Sequence, residues 1–190
     1  HGETDLATAK SIELLNSDER VDKVGCLLSS KEYYLFGNSS KPNGHFTSVR
    51  MDKNLFDMKL QTKLEGRLPQ NSSEIIISKR TLEKYFPNAR LGSTITVTSA
   101  NVTFDEKTEK ERYENLKNAR LTIVGILDEN LPTDFASFIQ IASESDIAKE
   151  LKEQGNISAY FTLKKLSYKS GQVLDNIAKE YDLGNEEEHT

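Results

Sequence analysis

The sequence is poorest in the residues that most often announce a chemistry. Its 190 residues hold one cysteine, three histidines, four prolines and no tryptophan. A lone Cys26 excludes an intrachain disulfide framework. Its neighbours Val24, Leu27 and Leu28 are those of a small buried hydrophobe rather than of a reactive thiol. His1, His45 and His189 stand at the two ends and in one loop, with no pattern that gathers metal ligands, and Cys-His catalysis from Cys26 would need the fold to bring a histidine close. The Glu186-Glu187-Glu188-His189 end reads as a solvated charged tail. Basic residues are in deficit, 25 against 30 acidic, for a net charge of −5. A chain without a basic excess has no cations to release counterions from phosphates, which argues against nucleic acid as a partner. No run reaches the roughly 18–20 apolar residues needed to cross a bilayer, and no signal peptide is visible.

The catalytic signatures are missing too. No Gly-x-x-x-x-Gly-Lys-Ser/Thr is there to cradle phosphates with backbone amides. No Gly-x-Ser-x-Gly elbow and no His-Glu-x-x-His is present. With so many carboxylates, no one acidic pair carries information. The sequons at Asn38, Asn71, Asn101 and Asn156 are what a chain rich in Asn, Ser and Thr produces by chance. The expectation from the sequence is therefore no catalytic residue, no metal and no cofactor. The polar ends, with no initiating Met, are those expected of a piece of a longer protein or of a processed chain.

What is present is a polar chain, 36% hydrophobic and 29% charged, long enough for one large domain or two small ones without staples. Asp5 is placed to cap a helix from Leu6 to about Asn16, with Leu6, Ala9 and Ile12 in one stripe. Val21–Ser29 and Tyr33–Phe36 read as two strands joined by a turn over Ser29–Glu32. Gly37–Gly44 is loop by composition, and a subdomain boundary falls there. Phe46–Met51 reads as a strand and Asn54–Phe56 as a turn or helical piece. Met58, Leu60, Thr62 and Leu64 alternate with polar residues as a half-buried strand.

Further on, Ser78 is placed to cap a helix to about Phe86, ended by Pro87. Thr94–Thr98 is a strand, and another starts near Val102. Asp105–Lys117 mixes both charges like a solvated hairpin tip or short helix. Leu121–Leu127 is the most apolar run and reads as a central strand, with Gly125 marking a bulge or close backbone approach. The return connection, with a second boundary, falls over Asp128–Asp134. Phe135–Ala142 and Ile157–Leu163 are strands. Between them Ser143 and Asp146 form a capping box for a helix that buries Ile147, Ala148 and Leu151 and stops at Gly155. Ser170 is expected to cap a last amphipathic helix, carrying Val173, Leu174, Ile177, Ala178 and Tyr181, that ends at Gly184. The fold class is α+β with an inserted small subdomain.

The most specific stretch is Leu64–Ser78. Gly66 can take a positive φ, and Pro69 fixes its own φ and extends the residue before it. Asn71, Ser72 and Ser73 are turn formers, and Ile75-Ile76-Ile77 is a β-branched run suited to a strand covered on both faces. Arg67 and Glu74 flank this turn, but no residue elsewhere in the sequence gives them a chemistry. The stretch reads as an architectural hinge.

Its spacing, Gly66-Arg67-x-Pro69 with Glu74-Ile75-Ile76-Ile77-Ser78, resembles the extracytoplasmic domain of FtsX/MacB-type ABC-transporter permeases. Val49-Arg50-Met51-Asp52, Leu91-Gly92-Ser93-Thr94-Ile95 and Ile123-Val124-Gly125-Ile126 are similar to further elements of that pattern, in the same order. Leu64 lies two residues before the glycine instead of three, and Ser93 stands where Asp is common. The resemblance marks Gly66, Arg67, Pro69, Glu74, Gly92 and Gly125 as signature residues of structural kind. It implies a MacB-like periplasmic core fold. A βαβ-type Porter-like core subdomain would comprise residues 1–45 and 131–190, and a mainly-β Sabre-like insert residues 46–130. It further implies a noncatalytic domain outside the bacterial cytoplasmic membrane, in a permease paired with a second copy and driven by a cytoplasmic ABC ATPase. Its cargo would be a lipoprotein, peptide or antibiotic, moved by mechanotransmission. Two other readings stand beside it: a secreted or surface-anchored protein that binds a peptide or glycan, and a hydrolase with dispersed catalytic residues.

Overall fold

The computed structural model of the chain describes residues 1–38, 41–59, 63–128 and 138–183. It divides into two compact units. The first comprises His1–Leu28, Met51–Lys59 and the chain from Ala142; the second comprises Ser29–Arg50 and Leu60–Ile141. The changeovers at Leu28/Ser29 and Arg50/Met51 fall within or at the end of strands rather than in loops. The boundary expected near residue 45 lies inside a strand, and the one near 131 lies outside the described residues.

In the first unit, β1 (Gly2–Ala7) and the opening half of β2 (Val21–Asn38) flank β9 (Ile157–Leu163), and both run antiparallel to it. β1 and β2 are thus parallel to each other and joined through α1 (Ala9–Ser17), a β-α-β connection. The helix expected from Leu6 starts later. Gly2–Ala7 is recruited by the edge of β9, and Thr8, not Asp5, caps the helix by a reciprocal pair with Ser11. Tertiary pairing has overridden a local helical stripe.

Residues alternate across β2. Val24, Cys26 and Leu28 join the clusters that hold Leu15, Phe161, Leu163 and Ile177 on one part and Ala142 and Ile157 on the other. α1, α4 (Glu144–Gln154) and α5 (Ser170–Glu180) supply the helical side of those clusters through Ile12, Leu15, Ile147, Leu151, Val173, Leu174 and Ile177. Ala148 is exposed rather than inward. Gly25 belongs to the opposite face, where α2 (Lys53–Lys59) comes so close that a Cβ would sit 2.6 Å from the Leu55 backbone. Asn54 Nδ2 donates to Val24 O there at 2.9 Å.

The expected turn at Ser29–Glu32 does not form, because β2 continues as one strand into the second unit. β3 (Lys41–Met51) occupies much of the Gly37–Gly44 segment expected to be loop. In the second unit β2 pairs with β3, β3 with β8 (Phe138–Ile141), β8 with β5 (Glu74–Ser78), β5 with β7 (Lys110–Leu127), β7 with β6 (Thr94–Asp105), and β6 with β2 again. The circuit closes on itself. Inside it Tyr34, Ile75, Ile77, Ile95, Val97, Leu121, Ile123 and Phe138 form one core, with Leu82 added from α3 (Lys79–Tyr85). Full burial of each such side chain contributes about 1.5–3 kcal/mol.

Local signals were strong here. Ser78 caps α3 by accepting from Thr81 N, Ser143 and Asp146 form the expected box, and Gly155 ends α4 at φ 83°. The expected Ser170 cap differs: Lys169 precedes the helix, and Ser170 Oγ instead accepts from Ser167 N at 2.8 Å.

β6 and β7 form a long antiparallel hairpin from Thr94↔Thr122 to Asp105↔Lys110. The strand expected near Val102 is part of β6, and the charged segment is a turn followed by the start of β7. The register shifts between Ser99↔Lys117 and Asn101↔Glu114, so β7 carries an extra residue, and Asn115 there takes φ 55°. At the turn Arg112 donates to Asp105.

Candidate functional site

The six signature residues, spread over some sixty positions of sequence, come together around the last residues of β7. β4 (Leu64–Gly66) pairs antiparallel with its last residues: Leu64↔Leu127, Glu65↔Ile126 and Gly66↔Gly125. The other edge of β7 runs parallel to β5, with Ile75↔Ile123 followed directly by Ile76↔Gly125, so Val124 is an extra residue in the ladder. Gly125 is therefore at a register shift with a chain on each side. A Cβ on it would meet Leu64 Cδ1 at 2.7 Å, Ile76 Cγ1 at 2.9 Å and Arg67 O at 3.0 Å.

Gly66 has φ 100°, and a Cβ there would sit 2.4 Å from Val124 O. That carbonyl oxygen accepts from Arg67 N at 2.9 Å. The close approach is what aims the chain outward into the Arg67–Glu74 turn. Gly92 has φ 85° and open space around it, and its N–H donates to Ile123 O at 2.8 Å. Leu91 beside it reaches to 2.8 Å from where the Gly66 Cβ would lie.

Arg67 closes the turn as a fork. Its Nη2 meets Glu74 Oε1 at 2.6 Å and its Nη1 meets Glu74 Oε2 at 2.7 Å, while Nη1 also donates to Leu68 O at 2.9 Å. Gln70 N adds a bond to Glu74 Oε2 at 2.8 Å. The guanidinium and then this amide hold the Glu74 carboxyl down to about 2. Pro69 is buried inside the loop. Asn71 Oδ1 accepts from Ser73 N and Ser73 Oγ, and Ser72 O accepts from Gln140 Nε2 at 2.6 Å, which ties the turn to β8. Every polar group of Arg67 and Glu74 so described is spent on the turn itself. The arrangement fixes a chain reversal and presents no nucleophile, base or open coordination position.

Elsewhere the buried thiol of Cys26 is pushed up to about 12, first by burial and then by the Asp52 carboxylate beside it. Asp52 itself is raised by burial and caps α2 by accepting from Leu55 N at 2.8 Å. Among the described residues no three or more His, Cys, Asp or Glu side chains are placed to hold a metal ion. No described helix is long and apolar enough to cross a membrane.

Two features escaped sequence reasoning. Asp18, Arg20, Glu180 and Tyr181 form a network in the first unit: Arg20 Nη2 bonds Asp18 Oδ2 and Glu180 Oε2 at 2.6 Å each, and Tyr181 Oη donates to Asp18 Oδ2 at 2.7 Å. The Arg20 guanidinium holds the Asp18 carboxyl well below the usual range. The second is the Lys164-Lys165-Leu166-Ser167-Tyr168-Lys169 loop, exposed throughout, whose signal in sequence was a basic run with apolar residues set into it.

A two-unit α/β chain with this closed strand circuit and glycine-lined turn has the fold of extracytoplasmic domains of ABC-type permeases. It is similar to the periplasmic region of MacB from Actinobacillus actinomycetemcomitans, at 15% identity and TM-score 0.55, over 94% of this chain and 76% of that one. It is similar to the extracellular domain of the noncanonic ABC-type transporter YknZ from Gram-positive bacteria, at 12% identity and TM-score 0.52, over 95% of each chain. A domain of a putative permease protein from Porphyromonas gingivalis matches at 13% identity and TM-score 0.52, over 98% of this chain and 74% of that one. No family model matches the sequence, and no curated protein matches it.

Proposed function

We propose that the chain is the noncatalytic extracytoplasmic domain of an ABC-transporter permease subunit. In this reading it couples ATP hydrolysis by a cytoplasmic ATPase to movement, export or sensing of a lipoprotein, peptide or antibiotic outside the bacterial cytoplasmic membrane. The observation that carries the reading is a fold-level likeness to three permease domains that runs across 94–98% of the chain. The discontinuous first unit takes the part of the Porter-like core and the strand circuit that of the Sabre-like insert. The expected partition into 1–45 with 131–190, and 46–130, differs from the two compact units, which place Ser29–Arg50 with the strand circuit and Met51–Lys59 with the first unit.

The path of the first unit supports this reading. Gly2 pairs with Phe161, and Thr4 Oγ1 donates to Leu183 O, so both described ends of the chain lie in one small region. A domain carried between two consecutive membrane helices needs that arrangement. Its partners are then the ATPase, reached through those helices, and a second permease copy. The Asp18–Arg20–Glu180 network ties the start of β2 to the end of α5 and would carry displacement of the ends into the sheet.

The test is sidedness. In the polypeptide that carries this chain, Phe104→Cys places a thiol at an exposed hairpin position, while Cys26 is buried and gives little background. A membrane-impermeant maleimide is expected to label it in intact cells. Labelling that requires lysis would overturn the proposal.

A further inference from the structure

We propose that the loop from Lys164 to Lys169 docks on an anionic lipid surface. Two of its side chains stand out among the described residues: Tyr168 is 94% exposed and Leu166 81%. Around them Lys164, Lys165 and Lys169 are all exposed. No acidic residue falls between Glu153 and Asp175, although the chain has 30 acidic residues and a net charge of −5. Basic charge is concentrated on a segment of an otherwise acidic protein, beside apolar groups left in water.

The loop is built rather than frayed. Lys164 N donates to Arg20 O at 3.0 Å where the loop leaves β9. At the other end Ser167 N donates to Ser170 Oγ at 2.8 Å, Lys169 N to Ser167 Oγ at 3.2 Å, and Ser170 N to Ser167 O at 3.0 Å. Lys169 Nζ lies 5.6 Å from the centre of the Tyr168 ring. These bonds hold Leu166 and Tyr168 outward on a short polar frame. Asp18 and Glu180, acidic groups of the neighbouring turn and helix end, are bound to Arg20. Glu19 and Asp182 remain there as exposed acids, so the attraction is local to the loop.

The residue types select the partner. Tyrosine favours the membrane–water boundary, where its ring is apolar and its hydroxyl wet. Lysine buries its stem while its ammonium stays with the headgroups. Six residues cannot bury the roughly 800 Å² per side of a stable protein interface, whereas a lipid surface needs no matching shape. The loop leaves β9 at the end where Gly2 of β1 pairs with Phe161. Under the permease reading that end faces the membrane, and the identity of the surface rests on that reading; lipid binding by the loop does not.

The chain has no tryptophan, so Tyr168→Trp makes the 190-residue protein a single-tryptophan reporter at the loop tip. Its emission is followed on phosphatidylglycerol vesicles, on phosphatidylcholine vesicles and with polyglutamate. The expected result is a blue shift on phosphatidylglycerol alone, lost in high salt. Each Lys→Gln change is expected to weaken partitioning about fivefold, and Lys164→Gln with Lys165→Gln and Lys169→Gln about a hundredfold. Leu166→Ser, an independent variant at an exposed position, is expected to diminish the blue shift. No shift on phosphatidylglycerol, an equal shift on phosphatidylcholine, or indifference to the lysine changes would overturn the proposal. A response to polyglutamate without one to vesicles would do so too, assigning the loop to an acidic protein. Vesicle binding together with failed surface labelling of Phe104→Cys would sink the permease reading and leave the loop's lipid affinity standing.

Discussion

Three glycines around the Arg67–Glu74 turn separate two costs that usually come mixed, strain in φ and lack of room. Gly92→Ala incurs only the first. Its φ is 85° and no heavy atom lies within 4 Å of a new Cβ, so the expected loss is about 1–2 kcal/mol. Gly125→Ala incurs only the second. Its Cβ would press on Leu64, Ile76 and Arg67 O at 2.7–3.0 Å, an overpacking cost of about 1–3 kcal/mol, offset by up to about 1 kcal/mol from a stiffer unfolded chain. Gly66→Ala incurs both. Its φ is 100° and the nearest atom is a backbone carbonyl oxygen at 2.4 Å, which cannot swing aside like a side-chain terminus. The sum is roughly 2–5 kcal/mol. For a chain of this length about 1 kcal/mol moves a melting midpoint by about 2–4 °C. Gly66→Ala is therefore expected to melt roughly 4–20 °C below the wild type, and Gly92→Ala roughly 2–8 °C below it, by calorimetry or circular dichroism. If Gly66→Ala melts no lower than Gly92→Ala, the claim that Val124 O closes on residue 66 is refuted.

The remaining predictions concern burial and charge. Ile76→Asp puts a carboxylate at a position with no exposure between β7 and β8. It is expected to abolish cooperative unfolding of the second unit, whereas Arg67→Ala leaves it folded with a midpoint within a few degrees of wild type; equal melting of Ile76→Asp and wild type would contradict this packing. Glu74 prefers its ionised form when folded, with a pKa near 2 against an ordinary 4.5, so its contribution is present above about pH 4.5 and lost as the pH falls toward 2. Asp18 acts in the same direction. Glu74→Gln should flatten the acid side of the stability profile, and an unchanged acid slope would count against the fork. Cys26, with its thiol pushed up to about 12, is expected to resist a thiol reagent at pH 8 until the first unit unfolds; rapid native labelling would place it at the surface.

What could be read from the sequence was what neighbours in the chain decide. The Ile75–Ile77 and Leu121–Leu127 runs are buried strands because β-branched residues covered on both faces leave few alternatives. Ser78, Ser143 and Gly155 act on groups three or four residues away, so their roles were visible. The helix start expected at Leu6 falls instead in β1, because the state of that segment depends on an edge offered by β9 about 150 residues later. Ser29–Glu32 looked like a turn because its polarity is that of a turn, yet Tyr33–Leu35 are drawn straight on by pairing with Thr98–Ala100. The signature residues were visible as a pattern, but their meeting on β7 was not. Gly66 and Gly125 face each other across a ladder that no local propensity encodes.

The register shift near Asn115 bears on what the protein does not do. Before Thr122 on β7, the outer edge of the hairpin has no strand partner among the described residues. Exposed edges of this kind are templates on which an extended polypeptide can add itself, and one copy can seed the next into a fibre. The kink at Asn115 breaks the straight run of amides such a visitor would need, and Lys110, Glu111, Arg112, Glu114 and Lys117 line the same strand with alternating charge. Kink and alternating charge together oppose strand addition along that edge, at the expense of a flatter and more regular ribbon.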